Sequence, residues 1–211
     1  MSSNSIHKAI SKRLQKAIDH FTVNGKLPVE VEWKPYQIDP GTEPNGEEFN
    51  AYCKRRWGGS GWTQHLQSEG VKNGARFSNW KWWPNTLRGH QWIMYGKEKH
   101  GLDTNKANEV LFRALYEQGE NLSDTETLIR LAENTLPEVD VEDLRDYITK
   151  DKGAARVMQE IDRGRRAFGI QGVPFFVVGA TGLATPYAFS GAQASESFLE
   201  VFEELSEKLK D

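Results

Sequence analysis

GVPFFVVG, residues Gly172–Gly179, sets four consecutive apolar residues behind a proline. A short apolar run of this kind reads as a strand buried on both faces. Proline cannot donate to a strand ladder, so Pro174 belongs at a strand's first residue, on an edge or at a bulge. An X-Pro bond also lowers the cost of the cis form to about 0.5–1 kcal/mol. Gly172 adds backbone freedom just ahead of it. Two readings stay open from the octapeptide: a strand that begins with proline, or a loop that turns on a cis Val173–Pro174 bond and then enters the core.

Working outward, a turn over residues 180–186 leads to a second short strand, Tyr187 to Ser190, and the two strands read as a hairpin. The last helix carries Phe198, Val201, Phe202, Leu205 and Leu209 on one side and glutamates on the other. Before the octapeptide, a helix over 151–168 ends at Gly169, a C′ glycine. At the other end, Ile6, Ile10, Leu14, Ala17, Ile18 and Phe21 recur at helical spacing, predicting a first helix over 5–22. VEVEWKPY (Val29–Tyr36) alternates apolar and polar residues and predicts a strand. Residues 47–150 read as wholly helical, with a clear amphipathic helix over 105–118 and a capping box at Ser123–Glu126. The order is α–β, a helical block, then α–β–β–α. It divides the chain into an N-terminal core part (1–46), a helical insertion (47–150) and a C-terminal core part (151–211).

Composition narrows the function classes. The chain has 27 Lys and Arg against 30 Asp and Glu, a net charge of −3, and no basic stripe, so nucleic acid is not the expected partner. The opening residues lack the apolar stretch of a signal peptide, and no run reaches membrane-spanning length; no membrane partner and a cytoplasmic location are expected. Cys53 is the only cysteine, which excludes an intrachain disulfide and a Cys-based zinc site within these residues, and no metal is expected. Six of the seven tryptophans fall between Trp57 and Trp92.

Four motifs in this order carry a resemblance: PNTLRGH (Pro84–His90), LFRALYEQGENLSD (Leu111–Asp124), GIQGVPFFVV (Gly169–Val178) and YAFSGAQ (Tyr187–Gln193). Together they resemble the DsbA-like superfamily of the thioredoxin fold. Within it the chain is most similar to the FrnE-like branch, related to the 2-hydroxychromene-2-carboxylate isomerases and kappa-class glutathione transferases. The resemblance implies an α/β thioredoxin-like fold with a large all-helical insertion. It also implies a cis bond at Val173–Pro174, with the Val173 backbone facing a ligand. The start of the chain departs from the family. Aligning KRLQKAI with the family's first helix puts Asn4, Ser5, Ile6 and His7 where a C-P-x-C motif is expected, and the family's first strand is missing.

Dithiol–disulfide exchange needs an attacking thiolate and a resolving thiol, so the family's default redox activity is not expected here. The resemblance places a pocket between the cis-proline loop, the start of the first helix and the insertion. Trp80, Trp82 and Trp83 are then candidate substrate-binding walls, or else fillers of the interface. Asn85 is a helix cap or a polar contact. His90 and His7 are candidate acid–base groups, the first also readable as a backbone-bonded histidine. Ser190 and Gly191 lead into the last helix, where free N–H groups bind anions; the glutathione-using relatives hold the peptide's carboxylate at the matching corner. The expected function is a non-redox isomerase or cyclase acting on a hydrophobic small molecule without a cofactor. The alternatives are a glutathione-dependent transferase or isomerase using Ser3 or Ser5, a ligand- or client-binding protein without catalysis, and an inactive form. The missing strand leaves three outcomes: closure of the sheet, filling by other residues of the chain, or a homodimer, which is the favoured one.

Overall fold

Helical periodicity near both termini builds one layer. In the computed structural model, which describes residues 3–24, 27–72 and 77–210 (side chains at all of these but 3–10, 65–66, 69–70 and 72), α1 spans Ser3–Val23. Its Leu14, Ala17, Ile18 and Phe21 face α9 (Ser195–Lys208), where they meet Phe198 and Phe202. The Phe21 and Phe202 rings lie 5.5 Å apart. Onto the same cluster folds a hairpin of β3 (Phe175–Val178) and β4 (Tyr187–Ser190), antiparallel with Phe176 opposite Phe189. Phe176 meets Phe198 edge-on at 4.9 Å.

The helical block has its own core. It comprises α2 (Phe49–Trp57), α3 (Thr63–Lys72), α4 (Leu87–His100), α5 (Thr104–Arg113), α6 (Thr125–Glu133), α7 (Val141–Thr149) and α8 (Ala154–Phe168). Trp92 on α4 sits at the centre with no exposed surface, and its indole N–H donates to the Leu128 carbonyl at 2.9 Å. Leu111, Leu115, Leu128, Leu144 and Ile148 surround it. A third cluster joins Phe49, Tyr52 and Cys53 of α2 to Trp83.

Three local expectations need correction. Residues 47–150 are not wholly helical: β1 (Glu47–Glu48) pairs antiparallel with β2 (Trp82–Trp83), a two-residue ladder too short to leave a sequence period. The helix expected over 105–118 stops at Arg113 and continues as a π-turn over Ala114–Gln118, closed by Gly119 at φ 73°. The cap of α6 is Asp124, whose carboxylate accepts from the Thr127 N–H at 2.9 Å, rather than Ser123. Ser123 is instead fully buried and bonds the Asn85 backbone.

The fourth difference matters most for the site. Segment 29–36 keeps the alternation of a strand, with Val29, Val31 and Trp33 half-buried and Glu30, Glu32 and Lys34 exposed, yet among the described residues it joins no sheet. It is tied to the helical block. Glu32 accepts from Lys97 of α4 at 2.5 Å. Lys34 lies 3.5 Å from Glu160 of α8. The Trp33 backbone N–H donates to Thr104 at the start of α5. The Arg165 guanidinium of α8 stacks over the Tyr36 ring. β3 pairs only with β4 among the described strands. The sheet has not closed across the gap.

Candidate functional site

Between the extended segment and β3 lies a cavity of about 1370 Å³. One wall is residues 27–36 with α4 and α8 behind them; the other is β3 with Leu14 of α1 and Phe198 of α9. Val173 and Pro174 form part of the lining, and their peptide bond is cis. Pro174 is buried and its carbonyl accepts from the Gly191 N–H at 2.9 Å.

His90 opens onto this cavity from α4. Its Nε2 lies 3.1 Å from the Tyr36 carbonyl. A carbonyl only accepts, so Nε2 carries the proton and Nδ1 holds the free lone pair. Burial penalises the charged imidazolium and lowers the pKa to about 4, while the bond to Tyr36 pulls weakly the other way. The imidazole is therefore neutral above that pH. It is half-buried by surface area, and the exposed part is cavity wall.

The tryptophans divide. Trp80 and Trp83 contribute to the lining. Trp83 is also stacked on Tyr52 at 4.1 Å, and the Trp80 ring packs tilted against Phe49 at 4.0 Å, so both fill an interface and face the cavity at its edge. Trp82 is not among the lining residues; it packs against the core of the helical block, and its carbonyl accepts from the Trp80 indole at 2.8 Å. Asn85 lies beside the cavity but its polar atoms are committed. Its Oδ1 accepts from Gln37 at 3.1 Å and from the Leu87 N–H at 3.2 Å, and its Nδ2 donates to the Thr42 carbonyl at 2.9 Å. It ties the loop after the extended segment to the start of α4. Ser190 and Gly191 lie outside the lining, at the end of β4. The Gly191 N–H is already taken by Pro174, so it is no free anion donor. The His7 side chain lies outside the described residues, as do those of Ser3 and Ser5.

Cys53 is remote in chemistry as well as in place. It is fully buried in α2 and absent from the cavity wall. Burial, and then the charge of Glu48, push its thiol pKa up, so it is not held as a thiolate. Among the described residues no group of three or more His, Cys, Asp or Glu side chains is placed to hold a metal ion. No described helix is long and apolar enough to cross a membrane.

Sequence reasoning missed the part of the wall formed by residues 28–36, Ile38, Ile93 and Ile161. The alternation of VEVEW was visible, but the absence of its sheet partner turns that apolar edge from core into cavity lining.

No curated protein sequence gives a significant match. Among solved structures, a probable DsbA oxidoreductase from Streptomyces coelicolor is similar over 94% of this chain and 83% of its own, at 20% identity and a TM-score of 0.75. That likeness shows the fold. A family model for the DSBA-like thioredoxin domain matches residues 7–203, and with it this chain, the cis-proline hairpin of β3 and β4 included, belongs to the DsbA-like thioredoxin family.

Proposed function

We propose that this chain is a non-redox member of its family that binds an apolar ligand in the cavity beside Val173–Pro174. The observation that carries this is the wall itself: Leu14, Ile93, Ile161 and Phe176 face a space larger than the roughly 300–1,000 Å³ of ordinary ligand pockets. Within these residues, exchange chemistry has one thiol, buried elsewhere and raised in pKa. A catalytic version of the reading, isomerisation or cyclisation of the bound molecule, rests on His90. Its neutral ring offers Nδ1 as a proton acceptor, and the Tyr36 carbonyl would steady the imidazolium formed by the transfer. The low pKa makes it a weak base, which favours binding without catalysis as the second reading. Nothing in the geometry favours glutathione, since the Gly191 N–H is bonded internally.

The test uses the apolar dye 1-anilinonaphthalene-8-sulfonate and the emission of Trp80 and Trp83 at the cavity's edge. Ile93→Trp fills the space from α4. The wild type is expected to bind the dye with a change in tryptophan emission, and the variant to bind at least tenfold more weakly at unchanged thermal stability. Equal binding by a folded variant would place the apolar site elsewhere.

A further inference from the structure

Thr86 stands at the N-cap of α4 without capping it. A threonine hydroxyl at that position ordinarily accepts from a backbone N–H of the first turn, yet Thr86 makes no such bond. Its neighbour Asn85 serves instead, accepting from the Leu87 N–H at 3.2 Å. The Thr86 side chain is half-buried, lines the cavity and bonds none of the described residues. One turn further on the same helix face is His90, another lining residue, whose backbone N–H donates to the Thr86 carbonyl at 3.0 Å. With Nε2 on the Tyr36 carbonyl, His90 Nδ1 is left without a partner among the described residues. Two polar atoms with no bond of their own therefore share one turn of α4 at the cavity wall. The rings of Tyr36, Trp80 and Trp83 belong to the same lining. This corner lies at the Tyr36 end of the extended segment and involves neither residues 29–32 nor β3.

We infer that the Thr86 hydroxyl and His90 Nδ1 form a subsite for the hydroxyl group of a planar aromatic ligand, a phenol or its fused-ring analogue. The inference rests on the apolar-site reading above and names its ligand class. A neutral Nδ1 beside a protonated Nε2 only accepts, so the ligand must bring a donor. A carboxylate or a carbonyl would set lone pair against lone pair. A hydroxyl donates to Nδ1 and accepts from Thr86 through the same oxygen, so one group satisfies both atoms. The aromatic share of the wall favours a flat ring as the body that carries it. The proton stays on the ligand. A phenol ionises near pH 10, as tyrosine does at about that value, whereas His90 takes up a proton only at about 4. The contact is a hydrogen bond that orients the ring, in keeping with binding rather than transfer.

The experiment compares 2-naphthol with 2-methoxynaphthalene, which keeps the rings and the oxygen but has no proton to donate. The ether is the more apolar of the two, so a wall that offers only apolar contact holds it at least as tightly. Binding is measured by equilibrium dialysis, with the dye as a parallel probe, on the wild type and on Thr86→Val. That substitution keeps the shape of the side chain and breaks no hydrogen bond of the Thr86 hydroxyl with the described residues. The nitrogen resonance of His90 Nδ1 is followed in the same titrations. The expected result is naphthol binding about tenfold tighter than the ether, a preference about threefold smaller in Thr86→Val, and a shift of the Nδ1 resonance with naphthol alone. Dye binding with the ether held as tightly as naphthol would overturn the subsite and leave the apolar site standing. A preference for naphthol that Thr86→Val leaves unchanged, or an unmoved Nδ1 resonance, would overturn the assignment to this pair of residues. If neither dye nor probe binds, both readings fall.

Discussion

The His90 imidazole couples the cavity wall to pH. Its pKa falls from 6.5 to about 4 on folding, because burial disfavours the charged ring. Between those values the unfolded chain binds the extra proton and the folded chain does not. The stabilisation is therefore fully present above about pH 6.5 and is lost as the pH falls toward 4. The gap corresponds to at most about 3 kcal/mol. His90→Gln keeps a donor for the Tyr36 carbonyl but does not titrate. Urea unfolding at about pH 7 and about pH 4.5 should show the variant losing less stability than the wild type, by about 1–2 kcal/mol after partial solvation through the cavity. An identical loss in both would remove His90 from the acid response. Cys53 gives a second residue-scale test. A buried thiol with a raised pKa should react with Ellman's reagent only as fast as the chain unfolds. Fast reaction of the native protein would contradict its placement.

At the scale of elements, the π-turn after α5 is held by its neighbours. The Asn79 N–H donates to the Tyr116 carbonyl at 3.0 Å, and its side chain donates to the Gln118 carbonyl at 3.0 Å. These bonds occupy carbonyls that the change of helix type leaves open. Gly119 closes the turn, and a β-carbon there would meet the Asn79 carbonyl oxygen at 2.9 Å. Gly101, at the end of α4, has a similar φ of 62° and open space around it. Gly119→Ala should cost about 2–3 kcal/mol and Gly101→Ala about 1 kcal/mol, since both bear the left-handed penalty and only the first displaces Asn79. Equal costs by urea titration would mean that the contact with Asn79 carries no weight. The helices α1 and α9 were legible because burial on one face imprints a 3.6-residue period. The β3–β4 hairpin was legible for a related reason, its apolar runs bracketed by glycine and proline. The two-residue β1–β2 ladder and the π-turn impose no period, and neither could be read. The partner of His90 lies 54 residues away at Tyr36, a distance that no local pattern encodes.

For the whole molecule, two apolar cores are separated by a gap. α1, α9 and the hairpin form one, and the helical block around Trp92 forms the other. The extended segment 27–36 belongs by its ion pairs and hydrogen bonds to the block, while β3 belongs to the hairpin. The alternation of VEVEW shows a segment built to pair in a sheet. The alternation does not show whether the segment pairs with β3, because pairing depends on competing attachments rather than on pattern. Lys97, Glu160 and Thr104 hold the segment from behind, and the gap stays open as a cavity.

Site-resolved hydrogen–deuterium exchange of the free protein tests that open gap most directly. The amides of Phe176 and Val178 face β4 and should be protected. Those of Phe175 and Val177, and of Glu30, Val31 and Glu32, should exchange at least a hundredfold faster, with Trp33 set apart by its bond to Thr104. Matched protection of Phe175, Val177 and residues 30–32 in a monomer would mean that the segment pairs with β3, that the sheet is closed, and that no cavity lies between them.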